Sequence, residues 1–190
     1  MKAGLYFGSF NPIHIGHLII ANHVLSNTDL KKIWFIVSPQ NPLKKSHVLL
    51  NEFHRLHLVR LAIEDDVRFS ASDVEFKLPK PSYTIDTLTY LKEKYPSHEF
   101  SIIMGSDSYT NISKWKNYER LMSEYEIIVY ERPNFETKEI APKTRVLKET
   151  PMLEISSTYI RTLIKDGKSI RYLVLEKVAQ EIEAAGYYKK

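Results

Sequence analysis

The chain reads as an α/β protein with a Rossmann-like, doubly wound parallel sheet. Three observations predict it: short apolar runs alternate with helical stretches, several runs are apolar on both faces, and a glycine-marked loop joins the first run to the first helix. A strand–helix alternation implies right-handed crossovers, and in such a sheet ligands gather beyond the carboxyl ends of the strands.

Taken in order, the predicted strands are Ala3–Phe7, Ile33–Val37, Val67–Glu75, Phe100–Met104 and Glu126–Tyr130, with a further short one at Thr144–Leu147. Val67-Arg68-Phe69-Ser70-Ala71 alternates rather than running apolar, which places the third strand near a sheet edge. Predicted helices lie near Ile15–Ser26, Asn51–Glu64, Tyr83–Tyr95 and Asn117–Glu124. In the third of these Ile85, Leu88 and Leu91 recur at helical spacing. Ser156-Ser157-Thr158 suits a helix N-cap, and Leu175, Val178 and Ile182 predict a last helix that Gly186 stops. At 190 residues this is read as a single domain, 1–190, with its C-terminal helices spanning about 156 to 185.

Composition narrows the classes. With 43% apolar and 26% charged residues and no run of about 18 apolar residues, a transmembrane helix is not expected. No signal peptide fits ahead of the first strand, and zero cysteines suit a reducing compartment, so a cytoplasmic protein is expected. The net charge of +4 suits a pocket for anionic nucleotides. No like-charge block and no basic–aromatic alternation favours a nucleic-acid partner.

The chemistry is concentrated in Gly8-Ser9-Phe10-Asn11-Pro12-Ile13-His14-Ile15-Gly16-His17. A strand, a tight turn and a helix start make an anion site, because the first N–H groups of a helix lack internal partners. His14 and His17 are three residues apart and share one helix face, where imidazoles can donate to phosphate oxygens as charge moves. The Walker pattern, the three-glycine dinucleotide fingerprint and His-Glu-x-x-His are all absent, and no metal ligand set of protein side chains is expected. Other strand-end loops add Ser38–Lys45, with Asn41, Lys44 and Lys45; Gly105-Ser106-Asp107-Ser108; and Glu131-Arg132-Pro133. Late in the chain Ile155-Ser156-Ser157-Thr158-Tyr159-Ile160-Arg161 sets a guanidinium one turn inside a helix start.

The first loop resembles the His-x-Gly-His signature of the nucleotidyltransferase superfamily. With Ser82-Tyr83-Thr84-Ile85-Asp86-Thr87-Leu88, Trp115 and Glu131-Arg132-Pro133, nearly the whole chain resembles the bacterial nicotinate-nucleotide adenylyltransferases. That resemblance implies adenylate transfer from ATP to nicotinate mononucleotide, with Mg2+ carried on the ATP phosphates. It assigns Gly8, Ser9, Phe10, His14, His17, Gly105, Asp107, Ile155, Ser156, Ser157, Thr158 and Arg161 to ATP, with His14, His17 and Arg161 catalytic. Asn41, Lys44, Lys45, Ser82, Tyr83, Thr84, Trp115 and Arg132 fall to the mononucleotide. Partners are then ATP and nicotinate mononucleotide, without nucleic acid or membrane; a homo-oligomer is compatible with this reading. The family's usual Thr-Phe-Asp is Ser9-Phe10-Asn11 here, and Lys116 stands where an aromatic often follows the tryptophan. Rival readings are a phosphopantetheine adenylyltransferase and a non-catalytic nucleotide-binding protein; the former is usually shorter.

Overall fold

The computed structural model describes residues 1–40, 49–132, 135, 137, 140–151 and 153–189. Six strands, β1 (Lys2–Gly8), β2 (Lys32–Val37), β3 (Phe69–Ser72), β4 (Glu99–Gly105), β5 (Glu126–Tyr130) and β6 (Thr144–Leu147), form one sheet in the order β3-β2-β1-β4-β5-β6. Every pairing is parallel. The strand order reverses direction between β1 and β4, which opens a crevice at their carboxyl ends.

The helices are α1 (Ile15–Ser26), α2 (Glu52–Ile63), α3 (Thr84–Lys94), α4 (Ser106–Tyr109), α5 (Tyr118–Glu124), α6 (Ser157–Lys165) and α7 (Glu176–Ala184). Side chains alternate across the sheet with the period of two that a pleat imposes. Tyr6, Ile103 and Ile128 pack on one side with Val24, Leu58 and Val178. Leu5, Ile102 and Ile127 pack on the other with Leu88 and Leu121. Both faces are covered, as the doubly apolar runs predict. Among the described residues no helix is long and apolar enough to cross a membrane.

Two expectations need correction. The third strand ends at Ser72, not Glu75, and Val74–Lys77 form a 3-10 turn. The Ser72 hydroxyl accepts the Val74 N–H at 3.3 Å and turns the chain, while Val67 is 85% exposed and pairs with nothing in the sheet. The edge placement of this strand is as predicted. Leu175 is not on the buried stripe of the last helix: it is the exposed N-cap, while Val178 and Ile182 are buried. Gly186 stops that helix at φ +66°, a backbone angle closed to most side chains.

Candidate active site

At the carboxyl end of β1 the chain curls back at Phe10, whose φ of 44° is uncommon for a residue with a side chain. The curl tucks the Phe10 ring beneath Gly8, where a Cβ would lie only 2.8 Å from the ring. Phe10 is 2% exposed and packs its ring edge-on against Tyr6 and His17 and tilted against Phe35. Its side chain is therefore the floor of the loop. Asn11 is also buried: its amide oxygen accepts the Leu50 N–H at 3.2 Å, so the amide that replaces the family's carboxylate works inside the loop.

His14 and His17 stack with ring centroids 3.7 Å apart. The His14 N–H donates to His17 Nδ1 at 3.2 Å, which puts the His17 proton on Nε2. His14 is 7% exposed, and burial together with the Arg132 guanidinium lowers its pKa from 6.5 to about 4. It stays neutral at ordinary pH. The unfolded chain takes up this proton near pH 6.5 and the folded chain only near 4, so stability falls as pH drops through that window. The loss is about 3 kcal/mol. We expect the urea midpoint of His14→Gln to fall less between pH 6.5 and 4 than that of the unsubstituted protein; parallel curves would contradict this.

The bare N-terminus of α1 is less open than the sequence implies. The Ile15 N–H donates to the Leu173 carbonyl (3.0 Å) and the His17 N–H to the His14 carbonyl (2.9 Å). The imidazole side chains thus become the principal donors here, rather than a row of free amides.

Helix α6 docks onto this loop. Arg161 Nη1 donates to the Asn11 carbonyl at 2.8 Å and Nη2 to Thr158 Oγ1 at 3.2 Å. The Ser157 hydroxyl donates to the Pro12 carbonyl at 2.8 Å and so ties helix to loop. Ser156 Oγ caps α6 by accepting the Tyr159 N–H at 3.1 Å and keeps its own hydroxyl proton. Ser156 and Thr158 are exposed beside Arg161, with Ile155 half-buried before them.

From β4 and β5 come Gly105, Asp107 and Arg132. Arg132 Nε lies 3.4 Å from Asp107 Oδ1, its backbone N–H donates to Ser106 Oγ at 2.9 Å, and Nη2 reaches Tyr130 Oη at 3.3 Å. A Cβ on Gly105 would run into the Asp107 carboxylate and lie 2.9 Å from Arg132 Nε, so glycine makes room for this pair. The sequence reading separates Asp107 and Arg132 between two substrates; the structure joins them, within electrostatic reach of His14.

In the Ser82-Tyr83-Thr84 segment, Ser82 is buried and its hydroxyl donates to Glu75 Oε2 at 2.7 Å. Tyr83 and Thr84 are partly exposed at the start of α3. Lys116 sits 4.9 Å over the Tyr83 ring and pairs with Asp86 at 2.8 Å, filling with a cation the place of the family's aromatic. Trp115 is half-buried against the same cluster as Tyr83. Asn41, Lys44 and Lys45 lie outside the described residues.

Sequence reasoning misses two buried charged residues. Arg55 on α2 and Glu75 in the 3-10 turn are 0% and 2% exposed and hold the ends of the site's loops. No local signal betrays them, because their partners come from distant segments. Among the described residues no group of three His, Cys, Asp or Glu forms a metal site. A cavity of about 560 Å³ opens at the other, amino-terminal end of the strands, around Lys2, Phe100 and Tyr125. Lys2 there is already paired with Asp29 and Glu126. It contains none of the residues above, and the chemistry lies at the carboxyl end.

A cytidylyltransferase-like family model matches residues 5–163. A Cytophaga hutchinsonii protein named probable nicotinate-nucleotide adenylyltransferase is 51% identical over 189 residues, covering 99% of this chain and 98% of its own. A Bacteroides thetaiotaomicron protein of the same name is 45% identical, with 96% and 91% covered. The solved Plasmodium falciparum nicotinic acid mononucleotide adenylyltransferase, complexed with NaAD, superposes with a TM-score of 0.83 at 23% identity over 98% of this chain and 97% of that one, and so shares the fold. The chain belongs to the nicotinate-nucleotide adenylyltransferase family, within the cytidylyltransferase-like group.

Proposed function

We propose that this protein transfers adenylate from ATP to nicotinate mononucleotide, forming nicotinate adenine dinucleotide and pyrophosphate in NAD biosynthesis. The observation that carries the reading is the docking of α6 on the first loop, through Arg161 to Asn11 and Ser157 to Pro12. It brings Arg161, Thr158 and Ser156 to the same end of the sheet as His14 and His17, as a triphosphate cradle requires.

In the reaction a mononucleotide phosphate oxygen attacks the α-phosphorus of ATP, the bond from that phosphorus to the bridging oxygen breaks, and pyrophosphate leaves with the electron pair. The nucleophile is already an anion, so no general base is needed, and catalysis rests on alignment and charge stabilisation. His17 Nε2–H faces the developing charge, and Arg161 with the Ser156 and Thr158 hydroxyls receives the departing pyrophosphate. His14, neutral and buried, holds His17 in its tautomer through the backbone bond. Apart from the Asp107 carboxylate, which is already paired with Arg132, the side chains here offer nitrogens and hydroxyls, a poor set for Mg2+. The ion therefore fits as part of the incoming ATP complex, where it offsets phosphate charge.

Pyrophosphate release from ATP tests the reading. Nicotinate mononucleotide should support turnover well above nicotinamide mononucleotide or phosphopantetheine; binding of ATP without release with any acceptor would favour a sensor instead. On the acceptor side, Trp115 offers a flat face to a pyridine ring. Trp115→Ala should raise KM for the mononucleotide about tenfold or more and leave KM for ATP within about twofold. A change confined to ATP would refute this placement.

A further inference from the structure

Arg55 and Glu75 converge on one residue, Ser38, at the carboxyl end of β2. The Ser38 N–H donates to the Gly8 carbonyl at 2.9 Å, which ties it to the first loop. Arg55 spreads its guanidinium over four backbone carbonyls: Leu50 (2.7 Å), Ser9 (2.5 Å), Ser38 (2.8 Å) and Pro39 (3.1 Å). The Glu75 carboxylate accepts from Ser82 at 2.7 Å and Thr87 at 2.9 Å, and the Ser38 hydroxyl lies close enough to help hold its charge. A single residue therefore has its amide on the phosphate loop, its carbonyl on Arg55 and its hydroxyl beside Glu75.

Burying a charge costs several kcal/mol unless hydrogen bonds replace its water. Holding a fold together would not need such groups, since apolar residues of similar volume do that as well or better. What a guanidinium fork adds is geometry, because its planar donors fix the mutual positions of the groups that accept from it. A carboxylate receiving two hydroxyls does the same from the other side.

We propose that Arg55 and Glu75 are positioning residues for adenylate transfer: Arg55 sets the main chain of the first loop, Glu75 sets the start of the Ser82–Thr84 segment, and Ser38 holds the two at a fixed spacing. The proposal rests on the functional reading above, so pyrophosphate release by the unsubstituted enzyme is measured first; a failure there faults that reading and leaves this one to be judged by variants of whatever activity is found. Arg55→Lys retains the charge but offers a point donor in place of a fork. It should lower kcat at saturating substrates about tenfold or more. Glu75→Gln should raise KM for the mononucleotide about fivefold while KM for ATP stays within about twofold. Leu58→Ala removes a fully buried side chain from the same helix as Arg55 and sets the scale for simple destabilisation. It should lower Tm with kcat within about twofold. If Arg55→Lys or Glu75→Gln lowers Tm as Leu58→Ala does and leaves kcat and both KM values inside those limits, that residue's positioning role is overturned. Should either variant fail to fold, Ser38→Ala decides: it keeps the carbonyl for Arg55, loses the hydroxyl beside Glu75, and should reproduce the rise in mononucleotide KM, whereas an unchanged KM would overturn the linkage.

Discussion

Replacing His17 with alanine should lower kcat/KM at least about a hundredfold, a loss of about 2.7 kcal/mol in transition-state stabilisation. His17 Nδ1 is committed to the His14 N–H, so the ring is oriented and its proton is carried on Nε2. Phe10 beneath and His14 alongside hold the plane of the ring. The alanine variant should fold, because the His17 side chain is half-buried and contributes little to the core. A folded variant with near-normal kcat/KM would remove His17 from the mechanism.

Arg161→Ala is expected to produce a loss of similar size, about a hundredfold in kcat/KM, for two reasons that act together. It removes the cation nearest the Ser156–Thr158 hydroxyls, and it cuts the bond from α6 to the Asn11 carbonyl. Arg161→Lys separates the two: a point charge restores part of the attraction for phosphate but not the paired contacts to Asn11 and Thr158. Recovery of less than about a tenth of the activity by lysine would show that geometry dominates. Full activity in Arg161→Ala, with pyrophosphate released at the usual rate, would contradict the assignment.

Much of this architecture is legible from local patterns. The run Ile33-Trp34-Phe35-Ile36-Val37 is apolar on both faces and is a strand of the buried sheet next to β1, and the alternating third strand lies at the edge. The His-x-Gly-His loop and the Ser156–Arg161 segment are visible because each couples a turn to a helix start. The 3-10 turn after Ser72 is not, since it depends on Glu75 being drawn inside by hydroxyls from Ser82 and Thr87. Arg55 escapes for a similar reason. An arginine on a predicted helix reads as solvent-facing, and its acceptors at Ser9 and Ser38 stand 46 and 17 residues away. The partners of the Ser82 and Ser157 hydroxyls, both protein groups, cannot be read from their neighbours in sequence.

The central claim is that the early loop and the late helix hold a single triphosphate. A crystal structure of the complex with a non-hydrolysable ATP analogue tests it most directly. The account predicts phosphate oxygens within about 3.2 Å of both His17 Nε2 and the Arg161 guanidinium in the same bound molecule. A triphosphate that contacts one of these groups and leaves the other in solvent would contradict it.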